Sequence, residues 1–146
     1  MSVRILAAGF DPWTCLADYQ RTRSGAPPGQ FGATAVFVGT MRDFNQGDVV
    51  QRLFLEHYPG MTESHLDKIA AEAAQRWDLI DTLIVHRVGE LEPGDPIVLV
   101  AVWSAHRAAA FEASRWLMEE LKSKAPFWKK EATGSGHRWV EQNTPG

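Results

Sequence analysis

The first candidates for chemistry in this chain are basic residues, and they fall into three groups. Arg42 directly follows a predicted strand and opens a loop that contains glycine and asparagine. His106 and Arg107 lie where a strongly apolar strand meets a long helix. A helix N-terminus presents unpaired N–H groups and the positive end of the helix dipole, so basic side chains beside it form a site suited to an anion.

Lys122 and Lys129 form the third group. Lys122 falls in the last turn of the predicted helix, Lys129 falls on the strand that follows, and Pro126 ends the helix between them. A chain reversal at Pro126 would bring both amines into one pocket, walled by Phe127 or Trp128. The spacing of these residues therefore indicates an anion pocket.

Each group also has an ordinary structural interpretation. A lysine at a helix C-terminus is commonly there for the dipole and for solvent, and Lys129 beside Lys130 in a hairpin would usually increase solubility. His106 at a strand end is more often a satisfied hydrogen-bonding residue than a catalyst, and Arg42 would most often form a surface ion pair. Spacing alone leaves both interpretations open.

Composition narrows the range of partners. The 146-residue chain is 45% hydrophobic and has a net charge of −3. We therefore expect a single domain over residues 1–146 and no general affinity for nucleic acid. Between Lys122 and Arg138, five basic residues stand against one acid. Such a local patch suits a small anionic ligand better than a polyanion.

Cysteine usage and hydropathy bear on cofactors and on location. Cys15 is the single cysteine, which rules out an intrachain disulfide and a zinc site built from cysteines. No HExxH motif is present, and GSG at residues 134–136 reads as a turn because no Lys-Ser or Lys-Thr pair follows it. No apolar run is long enough to cross a membrane and the N-terminus lacks the features of a secretory signal, so we expect a cytoplasmic protein.

The apolar pattern, with glycine and proline as breaks, predicts the elements that hold these side chains. Strands are predicted over residues 3–8, 33–41, 49–57, 82–88 and 97–104, and as a short pair around Gly134-Ser135-Gly136. Helices are predicted from Asp11 to about Arg21, after Tyr58-Pro59-Gly60, and from about His106 to Lys124, with a loop over residues 24–32. The inner faces of the two longer helices comprise Leu66, Ile69, Ala70, Ala73, Ala74 and Trp77, and Ala110, Phe111, Ser114, Leu117, Met118 and Leu121. Several connections are too short for parallel crossovers, so we expect an α+β fold with a mostly antiparallel sheet and two main helices packed on it.

Four segments, in the right order, resemble the large, catalytic subunit of molybdopterin synthase. They are the runs LEHYPGM (55–61), HRVGELEPGD (86–95), SAHRAAAFEA (104–113) and LKSKAPFWKKE (121–131). The loop over residues 39–48, GTMRDFNQGD, also resembles that family's loop after the second strand. The resemblance covers residues 32–140, and it departs from the pattern at Thr40, where some relatives carry a basic residue.

The resemblance implies an α/β hammerhead-type fold and a sulfurtransferase that makes molybdopterin for molybdenum cofactor biosynthesis. Its substrate would be cyclic pyranopterin monophosphate, which receives two sulfur atoms to form a dithiolene. Its partner would be a small ubiquitin-like sulfur carrier with a C-terminal Gly-Gly thiocarboxylate. The large subunit is expected to form a self-dimer, and hence a heterotetramer, and no cofactor or metal is implied for this step.

Carried over by matching motif, two lysines are expected to be catalytic and four other residues to bind the substrate or line its pocket: Lys122 and Lys129, and Arg42, His106, Arg107 and Phe37. A lysine close to other cations has a lowered pKa, which lets it act as an acid or base near neutral pH. We hypothesise that Lys122 acts in this way, while Lys129 holds the substrate anion or the partner's terminal group.

Two other functions are weighed against this one. A dimeric binding module that captures a protein C-terminus or a small anion would explain the basic patch, although carboxylate capture does not require two lysines together with His106 and Arg107. An enzyme acting on phosphate esters would use metal-binding acids near the basic groups, for which Asp43 and Asp48 are the candidates.

Overall fold

The computed structural model describes residues 1–22, 24–45, 48–133 and 136–140. Its helices are α1 (Pro12–Thr22), α2 (Met61–Arg76) and α3 (Arg107–Lys124). Its strands are β1 (Ser2–Leu6), β2 (Ala33–Thr40), β3 (Phe44–Asn45), β4 (Asp48–His57), β5 (Leu79–Arg87), β6 (Gly89–Leu91), β7 (Pro96–Ser104), β8 (Phe127–Thr133) and β9 (Gly136–Val140). Within these residues, no helix is both long and apolar enough to cross a membrane.

A four-stranded sheet with the order β1-β5-β7-β2 is covered by helices on both faces. β7 pairs antiparallel with β5 and with β2, whereas β1 joins β5 in parallel. α2 and α3 cover one face, over Val98 and Val100, and α1 covers the other, over Leu99 and Trp103. β5 and β7 are mostly apolar because both of their faces are buried.

A second sheet carries β8, the strand on which Lys129 lies. Its order is β3-β4-β8-β9, with β6 also paired to β4, and every one of these pairings is antiparallel. Met41, Leu53, Leu55 and Leu91 form a separate small core on its inner side. β8 follows α3 directly, so this strand of the second sheet starts at the C-terminal end of that helix.

The predicted α+β class with a mostly antiparallel sheet is confirmed. The loop over residues 24–32 contains no helix or strand, as expected. Asp11 caps α1: its carboxylate accepts hydrogen bonds from the backbone N–H groups of Trp13 and Thr14 at 2.9 and 3.3 Å. The predicted turn residues Gly134 and Ser135, and residues 46 and 47 of the loop that follows the second predicted strand, lie outside the described residues.

The structure adds two short strands and corrects two side chains. β3 and β6 have two and three residues, too few to show an alternating pattern in the sequence. The helix predicted from Asp11 is α1, which packs on the sheet as a third helix. Phe111 is 68% exposed and Ala74 is exposed, although both were predicted to face inward. Each follows a buried alanine, and one residue turns a helix by about 100°, which carries the next side chain off the inner face.

Asp81 anchors α1 and the loop that follows it to β5. Its carboxylate is buried and accepts hydrogen bonds from the Tyr19 and Ser24 hydroxyls at 2.8 and 3.1 Å. It also accepts from the backbone N–H groups of Gly25 and Thr82 at 2.9 and 2.8 Å. A buried charge with this many donors is a strong constraint on the position of the elements that supply them.

Tyr19→Phe is expected to lower the free energy of unfolding by about 1–3 kcal/mol, because the ring still packs on Trp103 while Asp81 loses a buried donor. The control is Thr34→Val, which removes the hydroxyl of an exposed side chain on β2 and should stay within about 0.5 kcal/mol of the parent. Urea denaturation followed by tryptophan fluorescence measures both changes. Equal losses in the two variants would contradict the anchoring role of Asp81.

Candidate active site

The chain reversal after α3 places the two lysines. Pro126 cannot continue a helix, and α3 ends at Lys124, with the backbone of Ala125 already extended at φ −66° and ψ 135°. β8 then starts at Phe127 and pairs with β4. As predicted, Lys122 lies in the last turn of the helix and Lys129 on the strand that follows the reversal.

Strand alternation decides which side chains of β8 face the pocket. Lys129 lies directly opposite Leu55, which is 1% exposed, so its side chain is on the inner face of the second sheet, together with Phe127 and Glu131. Trp128 is on the opposite face and is 50% exposed. Of the two aromatic residues expected as walls, Phe127 is therefore the one on the lysine side.

The amines of Lys122 and Lys129 interact directly. Burial, and then the charge of Lys122 and its hydrogen bond, lower the pKa of Lys129 to about 8. Burial also lowers the pKa of Lys122, as does the charge of Arg42, but the hydrogen bond to Lys129 raises it in part. The two amines therefore share a hydrogen bond, and the pKa of each is lowered from its ordinary value.

A neutral histidine lies beside the pair. His86 on β5 is buried, and its ring stacks on Phe127 with the centroids 4.0 Å apart and the planes at 17°. Its Nδ1 donates a hydrogen bond to the carbonyl oxygen of Arg87 at 2.8 Å. Burial, together with the charge of nearby Lys129, lowers the pKa of His86 to about 3. His86 therefore stays uncharged at neutral pH and adds no further repulsion.

Residue spacing did not identify His86 as a neighbour of the lysines. The available signal is that a histidine follows the apolar run LIV in the buried strand β5. A buried titratable group needs a hydrogen-bonding partner or a neutral state, and it is found at functional sites more often than chance predicts. The signal marks His86 as unusual, but it does not say what lies opposite the ring.

Phe37 lies on β2, and Arg42 lies on the segment that follows it. Arg42 is exposed, and its charge is close enough to Lys122 to lower the pKa of that lysine. Phe37 is 41% exposed and pairs with Val100, so it is on the face of the sheet that α3 covers. Gly39 leaves room for the Phe37 ring, since a Cβ at that position would come within 3.2 Å of the ring.

His106 and Arg107 are not brought to the lysine pair within one chain. Both are exposed at the start of α3, with His106 at the N-cap position and in an extended conformation. Lys122 is near the other end of the same helix, and 15 residues of α-helix, from 107 to 122, span about 22 Å. No arginine or histidine side chain reaches that far along a helix.

The cations that the structure gathers suit an anion rather than a metal. The part of the chain that the structure describes contains no group of three or more His, Cys, Asp or Glu side chains placed to hold a metal ion. Asp43 is exposed, and the side chain of Asp48 is not among those that the structure describes. Lys122, Lys129 and Arg42 together can bind an anion, and the amine with the lowered pKa can exchange a proton.

Fold and site define a class: an α+β protein with a half-buried lysine pair at the reversal between its last helix and a second sheet. The chain belongs to the MoaE protein family, whose model matches residues 11–124. It is similar to the molybdopterin synthase catalytic subunit of Pseudomonas aeruginosa, with 54% identity over 97% of this chain and 91% of the relative. It is also similar to the molybdopterin synthase catalytic subunit of Ralstonia nicotianae, with 54% identity over 96% of this chain and 77% of the relative.

Solved structures share the fold. The crystal structure of molybdopterin synthase from Staphylococcus aureus is 32% identical, with a TM-score of 0.82 over 94% of this chain and 96% of that chain. A protein–protein complex of subunits 1 and 2 of the molybdopterin-converting factor from Helicobacter pylori is 23% identical, with a TM-score of 0.78 over 97% and 92% of the two chains, and its likeness shows the fold alone. The predicted family, and with it the predicted sulfurtransferase class, is confirmed by the family match and by the identities to its named members.

Lys122→Met is expected to raise the pKa of Lys129, because the change removes both a repulsion and a hydrogen bond that lower it. Lys124→Met is the matched control: that lysine lies in the same last turn, but its amine pairs with Glu120 at 2.8 Å. The control should leave the pKa of Lys129 at about 8. NMR titration of ¹³C-labelled lysine side chains measures both. An unchanged value in Lys122→Met would refute the direct interaction of the two amines.

Proposed function

We propose that this chain transfers sulfur from the C-terminal thiocarboxylate of a small ubiquitin-like partner to cyclic pyranopterin monophosphate, as the catalytic subunit of molybdopterin synthase. Delivery of two sulfur atoms forms the dithiolene of molybdopterin. The observation that carries the proposal is the half-buried pair of Lys122 and Lys129, in which one amine has a pKa of about 8. Family membership supplies the reaction, and this pair supplies groups that are able to perform it.

A cluster of cations suits the charges of both reactants. The precursor carries a cyclic phosphate, the donor carries a thiocarboxylate, and negative charge moves onto the phosphate as its ring opens. The charges of Lys122 and Arg42 already lie close together before any substrate binds. Cations fixed in a half-buried pocket stabilise such a build-up of charge well, because they do not have to reorient as it forms.

The lysines divide the work between them. Lys129, with a pKa of about 8, is matched to donating and accepting a proton near neutral pH. Lys122 is then the cation that holds the substrate anion. The hypothesis made from the sequence gave the acid–base role to Lys122, and the pKa of about 8 supports giving it to Lys129 instead.

A partner with an extended C-terminal tail fits this site. The amines are half-buried, so sulfur has to arrive on a thin, flexible segment rather than on a folded surface. A Gly-Gly end has no side chains to obstruct entry. A non-catalytic module that captures a C-terminus would use the same cations, but it would not require a lysine whose pKa lies near neutrality.

The two ends of α3 would serve two different pockets of a self-dimer. His106 and Arg107 stand about 22 Å along the helix from Lys122, so they complete a lysine pocket when a second copy presents them. The start of α3 also offers backbone N–H groups to an anion. Each pocket of the dimer would then combine the lysine pair of one chain with His106 and Arg107 of the other.

We also place the protein in the cytoplasm. The described residues contain no membrane-spanning helix, and the free thiol of Cys15 is compatible with a reducing compartment. Both observations are independent of the lysine site.

Lys122→Ala and Lys129→Ala are each expected to lower turnover by at least about 100-fold, because each removes a group that acts on the reacting charges. The assay supplies the cyclic precursor and the small subunit with either a C-terminal thiocarboxylate or a plain carboxylate. Lys124→Ala, at an exposed lysine two residues from Lys122, should keep turnover within about twofold. Dithiolene formed equally with both tails, or binding of both tails without product, would contradict the proposed function.

Mixing two inactive variants tests the shared pocket. Lys122→Ala and Arg107→Ala chains, unfolded together and refolded at equal concentration, should recover about a quarter of the parental turnover, since half of the dimers are mixed and each of these has one intact site. Pockets completed within one chain would leave the mixture as inactive as either variant alone. Mass spectrometry of the intact dimers confirms that mixing occurred.

A further inference from the structure

Thr62, the last residue of the segment HYPGMT (residues 57–62), contacts the chain reversal at Pro126 between the two lysines. The side chain of Thr62 is fully buried in the first turn of α2. Its hydroxyl accepts a hydrogen bond from the backbone N–H of Tyr58 at 3.0 Å and donates one to the carbonyl oxygen of Pro126 at 3.0 Å. One hydroxyl thus joins the start of α2 to the residue at which the chain reverses between the two lysines.

The two residues after Pro126 are held as well. The Phe127 ring stacks on His86 of β5, with the centroids 4.0 Å apart. The indole N–H of Trp128 donates a hydrogen bond to the Tyr58 hydroxyl. The reversal therefore has contacts with two elements: hydrogen bonds to the start of α2 and the residues before it, and the ring stacking on His86 of β5.

A shift of the reversal would act more on the amine of Lys129 than on that of Lys122. α3 is fixed on the first sheet by Leu117 and Leu121, which are buried in the core that it shares with α2. Lys122 is attached to this helix, whereas Lys129 is the third residue of β8 and follows the reversal. Because the interaction between charges depends on their separation, a displacement at Pro126 changes how strongly the amines act on each other.

We propose that Thr62 and His86 are positioning residues for sulfur transfer: by holding Pro126 and Phe127, they set the separation of the Lys122 and Lys129 amines. Both act through the reversal and not on the substrate. The catalytic part of this inference rests on the proposed function, whereas its geometric part concerns the lysine pair alone.

Thr62→Val and Thr62→Ser test the hydroxyl. Valine keeps the shape of the buried side chain without its hydrogen bonds, and serine keeps the hydroxyl. We expect Thr62→Val to lower kcat about 10- to 100-fold with KM for the small subunit changed less than about twofold, and Thr62→Ser to stay within about threefold of the parent. Thr82→Val makes the same change at another buried threonine, on β5, and should retain the parental kcat.

The pKa of Lys129 is the measurement that a purely structural role would not move. The charged groups that act on the two lysines are Lys122, Lys129, Glu131, Arg42 and Glu119, and Thr62→Val removes none of them. The charges of both lysines and of His57 act in turn on the buried His86. As the amines separate, Lys122 lowers the pKa of Lys129 less, so we expect the pKa to rise above about 8. The limb of the kcat–pH profile that belongs to Lys129 should move to higher pH with it. NMR titration is done well below the melting temperature of each variant, with circular dichroism to confirm the fold.

His86→Phe and His86→Leu provide a second, independent pair. Phenylalanine keeps an aromatic ring to stack on Phe127, and leucine does not. We expect His86→Leu to show the fall in kcat and the rise in the pKa of Lys129, and His86→Phe to show a smaller change in both. This pair decides the question if Thr62→Val fails to fold.

Parental values of kcat and of the Lys129 pKa in folded Thr62→Val would overturn the proposal, and so would a Thr62→Ser variant as impaired as Thr62→Val. A parent chain without thiocarboxylate-dependent turnover would overturn the proposed function instead. In that case the Lys129 titration still decides whether Thr62 and His86 set the amine separation.

Discussion

Two lysine amines lie side by side in a half-buried position, and their mutual repulsion is the constraint on which the rest of the site depends. Placing two ammonium groups together is unfavourable, and the structure relieves it by letting one amine, that of Lys129, lose its proton at a pKa of about 8. Burial is the largest cause of that lowered pKa, and the closeness of the Lys122 amine lowers it further. Rigidity around the reversal is therefore a chemical requirement as much as a structural one.

The surroundings of the pair meet this requirement with neutral groups. His86 is buried where a third positive charge would add to the repulsion, and burial keeps it uncharged. Phe127 packs flat against it, and Thr62 satisfies two backbone groups with one hydroxyl. Behind them, β5 and β7 are buried on both faces and give the reversal a fixed support. The groups that hold the reversal therefore add no charge to the lysine pair.

Local rules predicted much of this from the sequence. Proline after a helix indicated the reversal, and the helical and strand positions of Lys122 and Lys129 indicated that their amines would meet. The partners of the reversal could not be predicted in this way, because Thr62 and Pro126 are 64 residues apart and only the packing of α2 brings them together. His106 and Arg107 were expected in the lysine pocket on motif alone, and the length of α3 separates them from it within one chain. Phe111 was misplaced for a simpler reason, since a residue next to an inner position was counted as facing inward.

α3 carries basic residues at both ends, 15 positions apart, from Arg107 to Lys122, and it has no break between them. The number of residues in α3 therefore sets both the distance between Arg107 and Lys122 and the rotation of one about the helix axis relative to the other. A residue inserted in the middle of the helix would rotate everything beyond it by about 100° and advance it by about 1.5 Å, which would turn Lys122 away from Lys129 while leaving every side chain chemically intact. In this segment, a change of length and a change of residue are not equivalent: the outer face of α3 can accept many replacements, but its number of residues is part of the active site.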